Sequence, residues 1–210
     1  MVDICPTITA ESQAEYTDQL KRVVSFAQRI HIDASDGSLA PRILIEPNKS
    51  TWPEQIKTDI HLMSLKPSGL VNDLLPLKPN LIIVHAEIHE DISFTLKLIH
   101  QAGVLAGLAL LPSTTIESIQ DFFGLLDHVL IFSGNLGYQG GSKADLSLLN
   151  KAGYVLNAKP GIEVGWDGGV NLNNISQISS AGVTVINSGG FIQQAADPAN
   201  AYAKLKNIIS

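Results

Sequence analysis

The chain has 210 residues, of which 45% are hydrophobic and 16% charged, and its formal net charge is −6 at pH 7. This composition supplies enough apolar surface for one sizeable core and excludes a disordered chain, because burial can offset the entropy lost on folding. The negative charge comes without a basic cluster or an acidic tail. We therefore expect neither a nucleic acid nor a membrane surface as a partner.

The cysteine content and the N-terminal residues indicate the compartment. Cys5 is the only cysteine, so no internal disulfide can form, and we expect a buried thiol in a reducing environment. The first residues lack a basic region followed by an apolar stretch. No run approaches the roughly eighteen apolar residues of a membrane helix. These features predict a cytoplasmic protein.

Short apolar runs alternate with amphipathic stretches along the chain, which is typical of parallel strands joined by helices. Helices are predicted over residues 11–27, 91–102, 115–125 and 172–181, with a last helix beginning at Asp197-Pro198. Three prolines over residues 41–53 predict a long loop or a very short helix. Strands are predicted over residues 3–6, 29–34, 59–63, 81–85, 105–110, 128–132, 162–166 and 183–187. Their number predicts a single-domain (β/α)8 TIM barrel over residues 1–210, with an open doubly wound sheet as the alternative.

Three predicted strands carry ionisable residues at alternating positions, which places them on one face of each strand. His31 and Asp33 share a face of the second strand. His61 and Met63 share a face of the third, and Asp167 ends the seventh. Burying such groups is costly unless they are paired or bind a metal ion. The two histidines and two aspartates predict a site for zinc, iron, manganese or cobalt. The alternative is that they are four unrelated polar residues at strand ends.

Glycine-rich loops follow the last three predicted strands. Glycine lets backbone amides approach an anion closely, and the late loops of such barrels commonly hold phosphate. We therefore predict a phosphate site there, which a side chain added at Gly169 or Gly189 should obstruct. The predicted contacts are Gly137, Gly140, Gly168, Gly169, Ser188, Gly189 and Gly190.

The remaining histidines give weaker signals. His85 and Glu87 end the fourth predicted strand, and the sequence leaves open whether they border an active site or belong to a polar loop. His89, His100 and His128 are interpreted as surface or structural residues.

The spaced set of motifs resembles the ribulose-phosphate 3-epimerase family along essentially the whole chain. The matching segments are Pro6-Thr7 and residues 31–37, 59–63, 85–87 and 167–170. The resemblance implies an isomerase that inverts carbon 3 of a small phosphorylated ketose, by default converting D-ribulose 5-phosphate to D-xylulose 5-phosphate. It implies Asp33 and Asp167 as the two acid/base catalysts, both also ligands of one divalent metal ion with the two histidines.

The resemblance also concerns the pocket wall and the assembly. Thr7 and Met63 would contact the substrate, and a homo-oligomer is expected. Ser35, Ser38 and Arg42 depart from the family pattern, as does the order of residues in the loop 137–141. Two alternatives therefore stay open: a hexulose 6-phosphate such as allulose 6-phosphate, for which Ser35 and Ser38 would make room, and a phosphosugar-binding barrel without catalysis.

Overall fold

A computed structural model describes residues 2–209 and shows eight parallel strands that close into a barrel in chain order. The strands are β1 (Asp3–Thr9), β2 (Arg29–Ser35), β3 (Lys57–Met63), β4 (Leu81–His85), β5 (Leu105–Leu110), β6 (His128–Phe132), β7 (Glu163–Asp167) and β8 (Val185–Ser188). Strand β8 pairs with β1 and completes the ring. The predicted TIM barrel is confirmed, and the open doubly wound sheet is wrong.

Helices connect the strands and pack on the outer face of the barrel, where they bury the main apolar core. The α-helices are α1 (Gln13–Val23), α2 (Ser68–Leu74), α3 (Ile92–Gln101), α4 (Asn150–Ala158), α5 (Ile175–Ser180), α6 (Gly190–Gln193) and α7 (Pro198–Ile208). In addition, 3-10 helices span Pro47–Lys49, Leu75–Leu77, Glu117–Leu125 and Leu146–Leu149. Within residues 2–209, no helix combines the length and apolar character that a membrane crossing requires.

Local signals set several helix ends as predicted. Gly103 and Gly182 have φ angles of 75° and 93°, the left-handed backbone expected of a residue that follows a helix. The side chain of Asp197 accepts a hydrogen bond from the backbone N–H of Asn200, with Pro198 in the first turn of α7. Residues 41–53, predicted as a long loop or a very short helix, form a loop that contains the short 3-10 helix Pro47–Lys49.

Beyond small shifts in bounds, two differences from the predicted elements concern the type of one helix and the length of the first strand. The helix predicted over residues 115–125 is a 3-10 helix, because apolar residues spaced by three and four positions fit both helix types. Proline lacks a backbone donor and is disfavoured inside a strand, and the first strand is predicted over residues 3–6 only. It continues instead to Thr9, because Thr7 pairs with His31 and Thr9 with Asp33 on β2. Both threonines therefore face the site at the carboxyl end of the barrel.

The interior of the barrel contains an apolar plug formed by four buried side chains, Leu81, Ile83, Ala109 and Leu130. On β6, Leu130 lies between the inward-facing His128 and Phe132. Gly165 on β7 leaves room for these side chains, since a Cβ atom there would lie 2.4 Å from Nε2 of His128. The plug therefore separates the two ends of the barrel.

An ion network fills the amino-terminal side of the plug. Arg29 donates to Asp59 at 2.7 Å and binds Glu163 through two hydrogen bonds of 2.7 and 2.8 Å. His128 contacts the same glutamate at 2.9 Å, which confirms its interpretation as a structural residue. Cys5 is fully buried as predicted, and burial raises the pKa of its thiol.

Candidate active site

The four predicted metal ligands converge at the carboxyl end of β2, β3 and β7. One ligand atom from each of His31, Asp33, His61 and Asp167 lies within 4.8 Å of the other three. The histidines are fully buried, whereas the carboxylates of Asp33 and Asp167 are 10% and 14% exposed. The barrel thus places two imidazoles beneath two carboxylates that reach the solvent side.

The contacts of His31 fit a bound cation. Its Nε2 atom lies 3.4 Å from Asp33 Oδ1 and 3.3 Å from Asp167 Oδ2, yet neither ring nitrogen makes a hydrogen bond. Burial opposes protonation of His31, but the two carboxylates outweigh it and raise its pKa to about 10. Positive charge is therefore favoured at this point, and a divalent metal ion would supply it in place of a proton.

The surroundings of Asp33 hold its carboxylate ionised and oriented. Burial would raise the pKa of Asp33, but His31 and His61 outweigh it and keep the pKa well below its usual range. Thr9 donates a hydrogen bond of 2.7 Å to Asp33 Oδ2, while Oδ1 lies 3.1 Å from Nδ1 of His61. Sequence reasoning missed Thr9, because the first strand was predicted to end before it.

A cavity of about 280 Å³ opens above the quartet of His31, Asp33, His61 and Asp167 and is lined by the ends of β1 to β3 and β6 to β8 with their loops. Asn187 also lines it and is 1% exposed, and neither atom of its amide has a hydrogen-bond partner. No pattern in the sequence distinguished this asparagine. The predicted residues that line the cavity are Thr7, Asp33, Met63, Gly137, Gly140, Asp167, Gly168, Gly169, Gly189 and Gly190.

Two predictions about the phosphate loops need correction. Ser188 is buried but does not line the cavity, because it alternates with the inward-facing Asn187 along β8. Gly169 is not a clean test of anion binding: its φ angle is 67°, and a Cβ atom there would lie 2.1 Å from the backbone nitrogen of Ala144. A side chain at Gly169 would therefore disturb the backbone before it met a ligand. Gly189 has a negative φ angle and no such clash.

The departures at Ser35, Ser38 and Arg42 lie outside the cavity wall. The Ser35 hydroxyl is buried and accepts a hydrogen bond from the backbone N–H of Gly37, whereas Ser38 is exposed. Arg42 forms an ion pair with Glu11. Neither serine therefore lines the cavity in which a longer sugar would have to fit.

His85 and Glu87 lie behind the quartet rather than on a polar loop away from it. His85 is fully buried and its Nε2 atom lies 2.8 Å from Nε2 of His61. Burial lowers the pKa of His85 to about 4 despite the opposing effect of Glu87. His89 is exposed and His100 contacts Asp127, so neither joins the site.

Comparison with known proteins agrees with this geometry. Residues 3–192 match the model of the ribulose-phosphate 3 epimerase family. Ribulose-phosphate 3-epimerase from Helicobacter pylori (strain J99) is 34% identical over 191 residues, which cover 88% of each chain. The enzyme of the same name from Bacillus subtilis is 29% identical over 215 residues, with 98% of this chain and 99% of that one covered.

Solved structures with lower identity share the fold. KGPDC from Streptococcus mutans superposes with a TM-score of 0.76 at 14% identity, covering 99% of this chain and 97% of that one. 3-Hexulose-6-phosphate synthase from Salmonella typhimurium gives a TM-score of 0.72 at 15% identity, covering 99% and 98%. The family match spans most of the chain and includes every member of the quartet. The chain therefore belongs to the ribulose-phosphate 3-epimerase family, whose members are isomerases.

Proposed function

We propose that the chain is a metal-dependent 3-epimerase that interconverts D-ribulose 5-phosphate and D-xylulose 5-phosphate. The observation that carries this proposal is the convergence of His31, Asp33, His61 and Asp167 at the base of the cavity. Their donor set of two imidazoles and two carboxylates suits zinc, iron, manganese or cobalt. Family membership supports the same reaction.

Two carboxylates match the demands of inverting a carbon next to a ketone. A base removes the proton at carbon 3 from one face, the electron pair moves into an enediolate, and an acid returns a proton to the other face. We assign these roles to Asp33 and Asp167, which line the cavity on β2 and β7. A bound divalent ion would stabilise the negative charge that develops on the ketone oxygen. Thr9 holds one oxygen of Asp33, which leaves the other toward the two histidines.

The loops after β6, β7 and β8 supply the proposed phosphate site. Gly140 and Gly190 face each other so closely that a Cβ atom on Gly190 would lie 2.7 Å from Cα of Gly140. Their backbone amides border the cavity without side chains to block an anion. The phosphate would then anchor the sugar while its carbon 3 lies between the carboxylates.

Unpartnered polar atoms support a polar ligand in the same cavity. The hydroxyl of Thr7 and both amide atoms of Asn187 are buried without hydrogen bonds. Buried polar groups are costly when unsatisfied, so a ligand or water is expected to complete them. We assign these two residues to the hydroxyl groups of the substrate.

The activity is tested by incubating the purified protein with D-ribulose 5-phosphate and each candidate metal in deuterated water. The expected result is D-xylulose 5-phosphate that carries deuterium at carbon 3. Allulose 6-phosphate and unphosphorylated ribulose serve as comparison substrates. Faster turnover of the hexulose phosphate would replace the proposed substrate, and turnover of none would support a binding protein instead. Light scattering tests the expected homo-oligomer, which a monomeric mass would contradict.

The roles of the carboxylates are tested by Asp33→Asn and Asp167→Asn, each with its metal content measured. Each amide keeps the shape but cannot exchange the proton, so we expect epimerisation to fall by orders of magnitude. Either variant at the parent rate with metal bound would contradict the two-carboxylate mechanism. Wild-type protein that binds none of the four metals would contradict the metal dependence.

A further inference from the structure

A chain of hydrogen bonds leads from His61 away from the cavity. Nε2 of His61 and Nε2 of His85 are 2.8 Å apart. The two ring planes are inclined by 27° and their centroids are 4.9 Å apart, so the short contact is the one between the two nitrogens. Nδ1 of His85 lies 3.1 Å from Oε2 of Glu87. Both histidines are fully buried, and bulk water therefore does not offer them other partners.

The hydrogen bonds of Glu87, at the far end of this series, have a fixed direction. Oε1 of Glu87 accepts the backbone N–H of Leu111 at 3.2 Å and also the hydroxyl of Thr114. A backbone N–H can only donate, so Oε1 must be an acceptor. An ionised carboxylate accepts through its second oxygen as well. The proton between Glu87 and His85 therefore belongs to Nδ1 of His85.

That proton determines the tautomers of both histidines. A neutral imidazole with a proton on Nδ1 has its lone pair on Nε2, so His85 accepts a hydrogen bond from Nε2 of His61. The lone pair of His61 is then on Nδ1, which faces Oδ1 of Asp33 at 3.1 Å. Two acceptors at this distance repel each other unless a cation contacts both.

We propose that Glu87 and His85 form a positioning pair that presents the Nδ1 lone pair of His61 to a divalent metal ion. The inference rests on the proposed function, because the ion is the one assigned to the quartet. Groups that hydrogen-bond the second nitrogen of a ligating histidine fix its tautomer and orientation and increase its basicity. Here two residues act in series, and the ionised carboxylate of Glu87, which can only accept, sets the direction for both hydrogen bonds.

Glu87→Gln reverses this direction at nearly constant shape. The N–H of Leu111 requires the amide oxygen at the position of Oε1, so the side-chain NH2 group faces Nδ1 of His85 and donates to it. His85 must then carry its proton on Nε2 and donate to Nε2 of His61. The proton of His61 moves to Nδ1 and occupies the lone pair that the metal needs.

Zinc affinity of chelator-stripped protein, measured by competition with a chromophoric chelator, gives the first readout. We expect Glu87→Gln to weaken zinc binding about 10- to 100-fold. Glu87→Ala removes the carboxylate without imposing a donor, so it should weaken binding less than the glutamine. Glu90→Gln is the matched control: Glu90 accepts hydrogen bonds from Ser68 instead, and zinc affinity should stay unchanged.

Nitrogen NMR of wild-type protein labelled with 15N-histidine and loaded with zinc gives a second readout that needs no variant at Glu87. The expected spectrum shows His61 protonated at Nε2 and metal-bound at Nδ1, with His85 protonated at Nδ1. A His85→Gln sample assigns the signals. The opposite tautomers, or full zinc affinity in Glu87→Gln, would overturn the positioning pair and leave the proposed function standing. Failure of wild-type protein to bind any of the four metals would overturn the proposed function itself.

Discussion

Gly189→Ala tests whether the loop after β8 binds the phosphate of the substrate. A Cβ atom at this position would lie 3.4 Å from Cβ of Thr7 and 3.4 Å from Cγ of Gln139, both in residues that line the cavity. These are ordinary contact distances, so the folded protein accommodates the methyl group. An anion that approaches the backbone amide closely meets the methyl group instead.

The size of the effect follows from the hydrogen bond that is lost. A hydrogen bond between a backbone amide and a charged group contributes about 1.5–3 kcal/mol, which corresponds to a roughly 10- to 150-fold change in binding. We therefore expect the KM of Gly189→Ala for D-ribulose 5-phosphate to rise by about that factor. The melting temperature and metal content should remain near the wild-type values.

Steady-state kinetics and thermal unfolding are measured together with Gly169→Ala as the contrasting variant. Gly169 has a left-handed backbone, and an added Cβ atom would lie 2.1 Å from the nitrogen of Ala144. Its alanine variant should lose stability, by about 1–2 kcal/mol from the backbone conformation alone. An unchanged KM in folded Gly189→Ala would refute the assignment of phosphate to this loop.

Three further variants address residues of the barrel interior. Asn187→Leu should retain stability, because the amide atoms of Asn187 have no partners to lose, while kcat/KM falls about tenfold. A destabilised variant with normal kinetics would contradict the substrate role of Asn187. Arg29→Met should cost about 3–5 kcal/mol, seen as a melting temperature roughly 6–20 °C lower, because Asp59 stays buried, and Glu163 half-buried, without their partner. The exposed control Lys97→Met should change stability by less than about 0.5 kcal/mol. Burial raises the pKa of Glu163, but Arg29 and the other partners of this carboxylate outweigh burial and lower the pKa. The ionised carboxylate of Glu163 therefore stabilises the fold above its ordinary pKa of about 4.3, and this stabilisation is lost on acidification. Urea unfolding from about pH 6 to pH 3 should show a smaller loss of stability for Glu163→Gln than for wild type, and parallel curves would contradict this.

The strand pattern was sufficient to predict the barrel and the quartet. Alternation along β2 and β3 places His31, Asp33 and His61 on inward faces whatever the packing of the helices outside. Closure then brings Asp167 to them, although it lies far along the chain. The 3-10 helix Glu117–Leu125 was not predictable in the same way, because the spacing of its apolar residues is compatible with an α-helix as well as a 3-10 helix.

The rest of the site depended on contacts that local patterns do not encode. Asn187 lies in an apolar strand, and nothing in its neighbours indicates that its amide is left without partners. Arg29 and Glu163 are 134 positions apart, so their ion pair follows only from barrel closure. The clash at Gly169 depends on how closely the loop at Ala144 approaches, which a glycine-rich motif does not reveal.

The apolar plug of Leu81, Ile83, Ala109 and Leu130 has a kinetic consequence. It closes the barrel beneath the quartet, and the residues that line the cavity lie at the carboxyl ends of the strands and in the segments that follow them. Substrate and product must use the same entrance and the same anchoring groups, and they cannot occupy the protein together. Product should therefore inhibit as a simple competitor of substrate.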